Sequence, residues 1–402
     1  MSAASHSVID PVELTRDLIR IPSVTPADEG AMDVLERALT GLGFTCRRMV
    51  FEGPTGVGHD ARIENLYARR GAASPNLCFA GHTDVVPTGD IAAWTAAPFE
   101  GETRDGILYG RGAVDMKGGI AAWVAAVSRV LAAHSENGTD VPGSLSFLIT
   151  GDEEGPALHG TKRVVEALMA EGEVIDACVV GEPSSAHHLG DMIKVGRRGS
   201  LNTWITVHGK QGHVAYPDRA ANPAPVVAKL LARLDAHVLD TGYPEFPPSN
   251  LEITTIDVGN PATNIIPADA RARLNIRFNP THTGDGLIDW LNREAGLVQA
   301  ETGLQIELTH MCSGEAFLTE PGVFVTAVQD AVEATLGRRP EASTTGGTSD
   351  ARFIRSLCPV LELGLVGQTM HQIDERVPEA ELRALTDAYQ AVIITVFERL
   401  PA

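Results

Sequence analysis

Basic residues are scarce in this chain: 32 Lys and Arg stand against 52 Asp and Glu in 402 residues, a formal net charge of −20. That balance excludes nucleic acid and anionic membranes as partners, because phosphate is held by Lys and Arg. Any anionic ligand must instead be met by a local cationic pocket. Cysteine is sparse and odd in number, and Cys46, Cys78, Cys178, Cys312 and Cys358 form no C-x-x-C pair, which argues against a disulfide framework or a cysteine zinc site. Cys78, Cys178 and Cys358 lie in apolar strand-like runs, where a free thiol acts as a small buried hydrophobe; a reducing cytoplasm is the expected compartment. No apolar run approaches the ~18 residues of a membrane span, and no basic segment leads into an apolar stretch at the start, so neither a span nor a signal peptide is expected. Internal repeats, low-complexity segments and coiled-coil heptads are also absent. Gly53-Pro-Thr-Gly-Val-Gly has the composition of a phosphate loop without its strand–turn–helix setting.

What is present is enough apolar residue, 44%, to build cores in a chain whose length suggests about two domains. Asp10-Pro-Val-Glu opens a helix, with an N-cap, a Pro in the first turn and an acid after it. Helices and strands then alternate through Glu182, an α/β pattern. The rhythm changes from about residue 199 to 311. Strands are predicted over 201–208, 251–258, 271–278 and 304–309, with helices over 223–239 and 285–295. That order, β-α-β-β-α-β, is ferredoxin-like. Beyond it the helix Val323–Leu336, a Gly-rich loop at Gly346, a strand over 359–363 and a last helix from Pro378 resume the first pattern. The expected organisation is an α/β/α domain of residues 1–198 and 312–402, interrupted by a ferredoxin-like domain of residues 199–311.

The chemistry gathers at strand ends. His82 and Asp84 close an apolar run from Leu77; Glu153 and Glu154 follow the run Ser144–Thr150; Glu182 follows the run from Ala177; Asp115 precedes an Ala-rich helical segment. Polar residues just past the carboxyl ends of apolar strands are where open α/β sheets build their sites. Imidazoles and carboxylates, one of them bridging, suit two zinc ions about 3.5 to 4 Å apart. With His371 as the second imidazole, Asp115 bridges, His82 and Glu182 serve one ion, and Glu154 and His371 the other. Asp84 then orients His82, and Glu153, which cannot readily point the same way as Glu154, is left as general base. Each residue also has a plainer use. Asp115 can cap the helix it precedes, Glu153-Glu154 can be a solvated acidic turn, and Gly181-Glu-Pro an ordinary turn. Adjacent His187 and His188 read as loop residues, and Met116-Lys117 as serving the turn.

The segments Gly81-His-Thr-Asp-Val-Val-Pro, Gly110-Arg-Gly-Ala-Val-Asp-Met-Lys-Gly-Gly, Gly151-Asp-Glu-Glu-Gly and Gly181-Glu-Pro-Ser resemble, in order and spacing, the aminoacylase and carboxypeptidase superfamily of di-zinc amidohydrolases. Val195-Gly-Arg-Arg-Gly-Ser, Gly209-Lys-Gln-Gly-His-Val-Ala-Tyr-Pro, Asn264-Ile-Ile-Pro, Asn275-Ile-Arg-Phe-Asn and Gly346-Gly-Thr-Ser-Asp-Ala-Arg-Phe-Ile resemble its succinyl-diaminopimelate desuccinylase branch. The resemblance covers nearly the whole chain, although Thr263 stands where some members carry Asn. It implies a cytoplasmic homodimer with two Zn2+ per subunit, replaceable by Co2+, that hydrolyses the succinyl amide of N-succinyl-LL-2,6-diaminopimelate on the lysine and diaminopimelate route. The inserted domain is implied to be the dimerisation and lid domain. His213, otherwise a turn histidine, is implied to donate to the oxyanion across the dimer. Arg197 and Arg277 are implied to grip carboxylates, with Tyr216, Asn264, Ser313, Gly347 and Thr348 as neutral hydrogen-bonding positions. A cis peptide bond after Asp115 is implied as well. An acetylornithine deacetylase or aminoacylase on the same scaffold, and a catalytically silent metal-binding relative, are the alternatives.

Overall fold

A computed structural model describes residues 7–54 and 60–401; most of the Gly53–Gly58 run lies outside the described residues. The chain divides into two compact units. One comprises residues 1–195, 319–343 and 349–402, and the other residues 196–318 with residues 344–348. The second unit therefore takes in part of the Gly-rich stretch around Gly346, which the sequence rhythm alone assigns to the first.

The first unit is built on an eight-stranded sheet. Its order is Thr45–Pro54, Asp60–Arg70, Ser144–Thr150, Asn76–His82, Ala177–Val180, Val360–Glu362, Met192–Lys194 and Glu341–Ser343. The four strands from Ser144–Thr150 to Val360–Glu362 run parallel. Strands Asn76–His82, Ser144–Thr150 and Ala177–Val180 are buried along their whole length, as strands covered on both faces must be. Helices Pro11–Ile19, Lys117–Glu136, Val323–Leu336 and Glu379–Arg399 pack on one another. Trp123 and Tyr389 from two of them meet Phe79 of the sheet. The first helix starts as its sequence dictates, with the Asp10 carboxylate accepting from the N–H groups of Val12 and Glu13 and Pro11 in the first turn.

The second unit carries a four-stranded antiparallel sheet in the order Asn250–Asp257, Asp269–Phe278, Gly199–His208, Gln305–Gly314. Alternate residues Ala270, Ala272, Leu274, Ile276 and Phe278 are buried, and they form a core with Leu230 and Leu231 of the helix Ala224–Asp235 and Leu287 and Leu291 of the helix Gly284–Thr302. The ferredoxin-like order is present. The helix Gly284–Thr302 outruns its predicted end, because Gly296 is carried within it instead of stopping it.

Candidate metal centre

Three adjacent parallel strands deliver the site at their carboxyl ends. His82 is the last residue of one, Glu153 and Glu154 follow the second, and Glu182 follows the third. Asp115 stands two residues before the helix Lys117–Glu136. His371 comes from the loop beyond the fourth parallel strand, in left-handed backbone with φ 61°. Asp115 offers one oxygen to each imidazole: Oδ1 lies 3.3 Å from His82 Nε2 and Oδ2 3.1 Å from His371 Nε2. Glu182 Oε1 is 3.7 Å from His82 Nε2, and Glu154 Oε1 is 2.8 Å from His371 Nε2. Two triads result, His82–Asp115–Glu182 and Asp115–Glu154–His371, each with its donor atoms within 4.8 Å of one another; His82, Glu153 and Glu154 form a third such group.

The donor set fits divalent cations. His82 Nε2 and Asp115 Oδ1 are buried, face each other, and have no hydrogen-bond partner among the described residues, a costly state unless another group lies between them. Electrostatics points the same way. Burial, reinforced by neighbouring acids, pushes the Glu153 and Glu182 carboxyls well above the usual carboxylate range. Burial works against a charged His82, yet Asp115, Glu182, Glu153 and Asp84 lift its pKa well above the ordinary value. Hydrogen bonds to Asp115 and Glu154 raise His371 to about 10. Burial opposes ionisation of Asp115, but the two histidines hold its carboxyl well below the ordinary value. Carboxylates crowded in a buried place demand positive charge, and dications at these points satisfy that demand.

The arrangement departs from expectation at Asp84. His82 Nδ1 bonds the main-chain carbonyl of Asp84 at 2.9 Å, while the nearer carboxylate oxygen is 3.7 Å away. The carboxylate instead accepts from the N–H groups of Glu153 and Glu154, at 3.3 and 3.0 Å. Asp84 thus orients His82 through its backbone and shapes the acidic turn with its side chain; burial pushes its pKa up to about 7.

Small residues make the convergence possible. A Cβ on Gly81 would lie 2.5 Å from Met116 Cε, and one on Gly181 would lie 2.9 Å from the same atom. The glycine before His82 therefore makes room for the residue after Asp115, and the glycine before Glu182 makes room first for the Phe79 ring, 2.4 Å from such a Cβ, and then for Met116. A Cβ on Gly119 would lie 2.6 Å from the Gly181 carbonyl oxygen, so the helix start seats directly on the chain leading into Glu182. The Asp115–Met116 peptide bond is cis. Lys117 is fully buried and donates to the carbonyls of Leu18 and Ile21 at 2.9 and 2.8 Å, so it ties a helix end to the turn.

The remaining candidates lie in the second unit and form three local groups. His213 and Tyr216 are neighbours, with ring centroids 5.7 Å apart, and the Val214 N–H donates to the Asn264 carbonyl. Arg277 pairs with Ser200 across the sheet, and Ser313 Oγ donates to the Ser200 carbonyl at 3.3 Å. Arg197 donates to the Thr345 carbonyl at 2.8 Å, next to Gly347 and Thr348. Arg198 bonds Asn250. Asn279 leaves the face of Asn275 and Arg277: beyond the strand end it is buried and donates to Asp240 and the Pro247 carbonyl.

This geometry coincides with a family assignment, since residues 78–395 match the model of peptidase family M20/M25/M40. The chain belongs to this family. It is 64% identical over 391 residues to a succinyl-diaminopimelate desuccinylase of Caulobacter vibrioides, covering 97% of this chain and 96% of the relative. To the protein of that name from Phenylobacterium zucineum it is 62% identical over 397 residues, 99% of this chain and the whole of the relative. In fold it is similar to an M20 family metallo-carboxypeptidase of Sulfolobus solfataricus, with a TM-score of 0.76 at 16% identity over 96% and 99% of the two chains. A dinuclear metal binding peptidase of Bacillus subtilis gives a TM-score of 0.68 at 16% identity, over 97% and 98%. Among the described residues no helix is long and apolar enough to cross a membrane.

Proposed function

We propose that this M20 family amidohydrolase cleaves the succinyl amide of N-succinyl-LL-2,6-diaminopimelate, giving succinate and LL-diaminopimelate for lysine and diaminopimelate biosynthesis. The observation that carries the reaction is the pair of triads sharing Asp115, with Glu153 beside them; the substrate follows from the desuccinylase relatives. Two Zn2+ per subunit, replaceable by Co2+, would be held by His82 and Glu182 on one side and Glu154 and His371 on the other, with Asp115 common to both groups. When bound, such ions polarise an amide carbonyl and make water acidic enough to be deprotonated near neutrality. The acids Asp115, Glu154 and Glu182 bring three negative charges against the four positive charges of two dications.

Glu153 accepts the proton of the attacking water and passes it to the leaving amine nitrogen. Its place beside the triads, in the group formed with His82 and Glu154, is what suits it to that role. His213, supplied across a homodimer, donates to the oxygen that gains charge. Arg197 and Arg277 pair with substrate carboxylates through their forked N–H groups, and Tyr216, Asn264, Ser313, Gly347 and Thr348 hydrogen-bond its neutral parts. The unit centred on residues 199–311 is the dimerisation and lid domain. Five free cysteines suit a reducing cytoplasm.

Parallel assays on N-succinyl-LL-diaminopimelate and N-acetylornithine test the proposal. The expected result is succinate release that requires added Zn2+ or Co2+, with negligible turnover of the acetyl substrate. Preference for the acetyl substrate, or turnover of neither by metal-loaded protein, refutes it.

A further inference from the structure

Asp115 and His371 both sit outside regular structure, one on a loop and the other half-exposed with left-handed backbone, yet their placement must be accurate to a fraction of an ångström. The ion pair Arg111–Glu375 lies between their two loops and is buried, with side chains 2% and 0% exposed and an N–O distance of 2.7 Å. Glu375 Oε1 accepts from the N–H groups of Val114 and Asp115 at 2.9 and 3.1 Å; Oε2 accepts from the Gly112 N–H at 3.1 Å and from Arg111 Nη1. The Glu375 carbonyl accepts from the Gly110 N–H at 2.9 Å. One carboxylate thus fixes the turn that ends in Asp115.

Arg111 does the same for the other loop. Its Nη1 donates to the Gln372 carbonyl at 3.2 Å, and its Nη2 to the carbonyls of His371 at 3.4 Å and Pro87 at 3.3 Å. Its guanidinium lies 5.4 Å from the centre of the Trp94 ring. A buried ion pair is poor evidence of stabilisation, since desolvation offsets much of the attraction and apolar side chains of similar volume often serve as well. What apolar side chains cannot do is accept from three main-chain donors of one turn, Gly112, Val114 and Asp115, while donating to two carbonyls of a second loop.

We propose that Arg111 and Glu375 are a positioning pair that sets the spacing between Asp115 and His371, and so the affinity of the site these two share with Glu154. The inference rests on the metal-centre reading above. Its test is a titration of metal-free protein with Co2+, followed by visible absorption and calorimetry, on wild type, Glu375→Gln and Arg111→Lys. Gln keeps the shape of Glu and loses one strong acceptor; Lys, one atom shorter than Arg, keeps the charge but loses the fork. Outer contacts of this kind are worth about 10- to 100-fold in metal affinity, and that loss is expected for one of two Co2+ equivalents, with the d–d spectrum of that equivalent altered. Activity of each variant should fall at stoichiometric metal and recover toward wild type in excess metal.

Variants that bind both equivalents with wild-type affinity and spectrum overturn the proposal. So do two variants that fail to fold, because the pair is then part of the core and not a positioning device. Wild-type protein that binds two Co2+ but releases no succinate refutes the desuccinylase reading and leaves this inference standing.

Discussion

Gly119→Ala and Gly296→Ala are the same substitution in two helices, and the structure assigns them opposite signs. Replacing a helical Gly by Ala gains up to about 1 kcal/mol from propensity alone. At Gly296 a new Cβ meets nothing within 4 Å, so the gain should appear as a rise in the thermal transition. At Gly119 the Cβ falls 2.6 Å from the Gly181 carbonyl oxygen, where ordinary contact starts at 3.4 Å; the helix start and the chain entering Glu182 must separate by about 0.8 Å. Overpacking of this kind costs about 1 to 3 kcal/mol; a contact with rigid backbone belongs to the upper part of that range, and subtracting the propensity gain of up to about 1 kcal/mol leaves a net loss of up to about 2 kcal/mol. A shift of that size between Asp115 and Glu182 is of the order that lowers turnover about 100-fold. Calorimetry and steady-state kinetics on the two variants suffice. If Gly119→Ala is stabilised like Gly296→Ala and retains kcat within about twofold, the claim that glycines set the ligand spacing is wrong.

Four further outcomes are expected. Glu153→Gln should lower kcat about 100- to 10,000-fold while still binding two metal equivalents by calorimetry; an active variant removes Glu153 as the base. His371→Ala should lose one metal equivalent and keep the other, read in the same titration; retention of both contradicts the triad that contains it. In the second unit, burial of Asp240 is outweighed by hydrogen bonds from Ser249, Gly242 and Asn279, which hold its pKa at about 2. Its folded-state pKa lies below the unfolded value, so the stabilisation is present above about pH 4 and is lost as pH falls toward 2. Asp240→Asn should therefore cost about 1 to 2 kcal/mol in urea denaturation at pH 7 and progressively less in acid; a pH-independent difference contradicts this. Sedimentation at micromolar concentration should give the mass of two chains, and a single-chain mass contradicts the homodimer.

Of the residues that meet in the two triads, His82, Asp115, Glu154 and Glu182 were legible from local pattern, at strand ends or a helix start, whereas His371 has no local signature and was reached through the family resemblance and the need for a second imidazole. His82 and Glu182 both follow a glycine in a crowded place, Gly81 against Met116 and Gly181 against Phe79 and Met116, and the acidic pair follows a strand with no polar break between Ser146 and Thr150. The elements with clear periodicity were legible too: Ser144–Thr150 and Val323–Leu336 match their predicted bounds. What pattern could not supply was the choice between backbone and side chain. At Asp84 a carbonyl two residues along the chain reaches the imidazole first, which frees the carboxylate for another loop. Lys117 read as turn filler because its two acceptors, Leu18 and Ile21, are about a hundred residues away. Glu375 gave no signal at all, since an isolated Glu in a polar stretch is ordinarily solvated and only the fold brings the N–H groups of Gly112, Val114 and Asp115 around it.

Crystals grown with Zn2+ and measured on both sides of the zinc absorption edge test the central claim most directly. The account predicts two anomalous peaks about 3.5 to 4 Å apart, one Asp115 oxygen on each, His82 and Glu182 completing one site, Glu154 and His371 the other, and Glu153 within hydrogen-bond reach of the intervening solvent but bound to neither. Glu153 as a ligand, or two fully occupied sites that leave out His371, contradicts it.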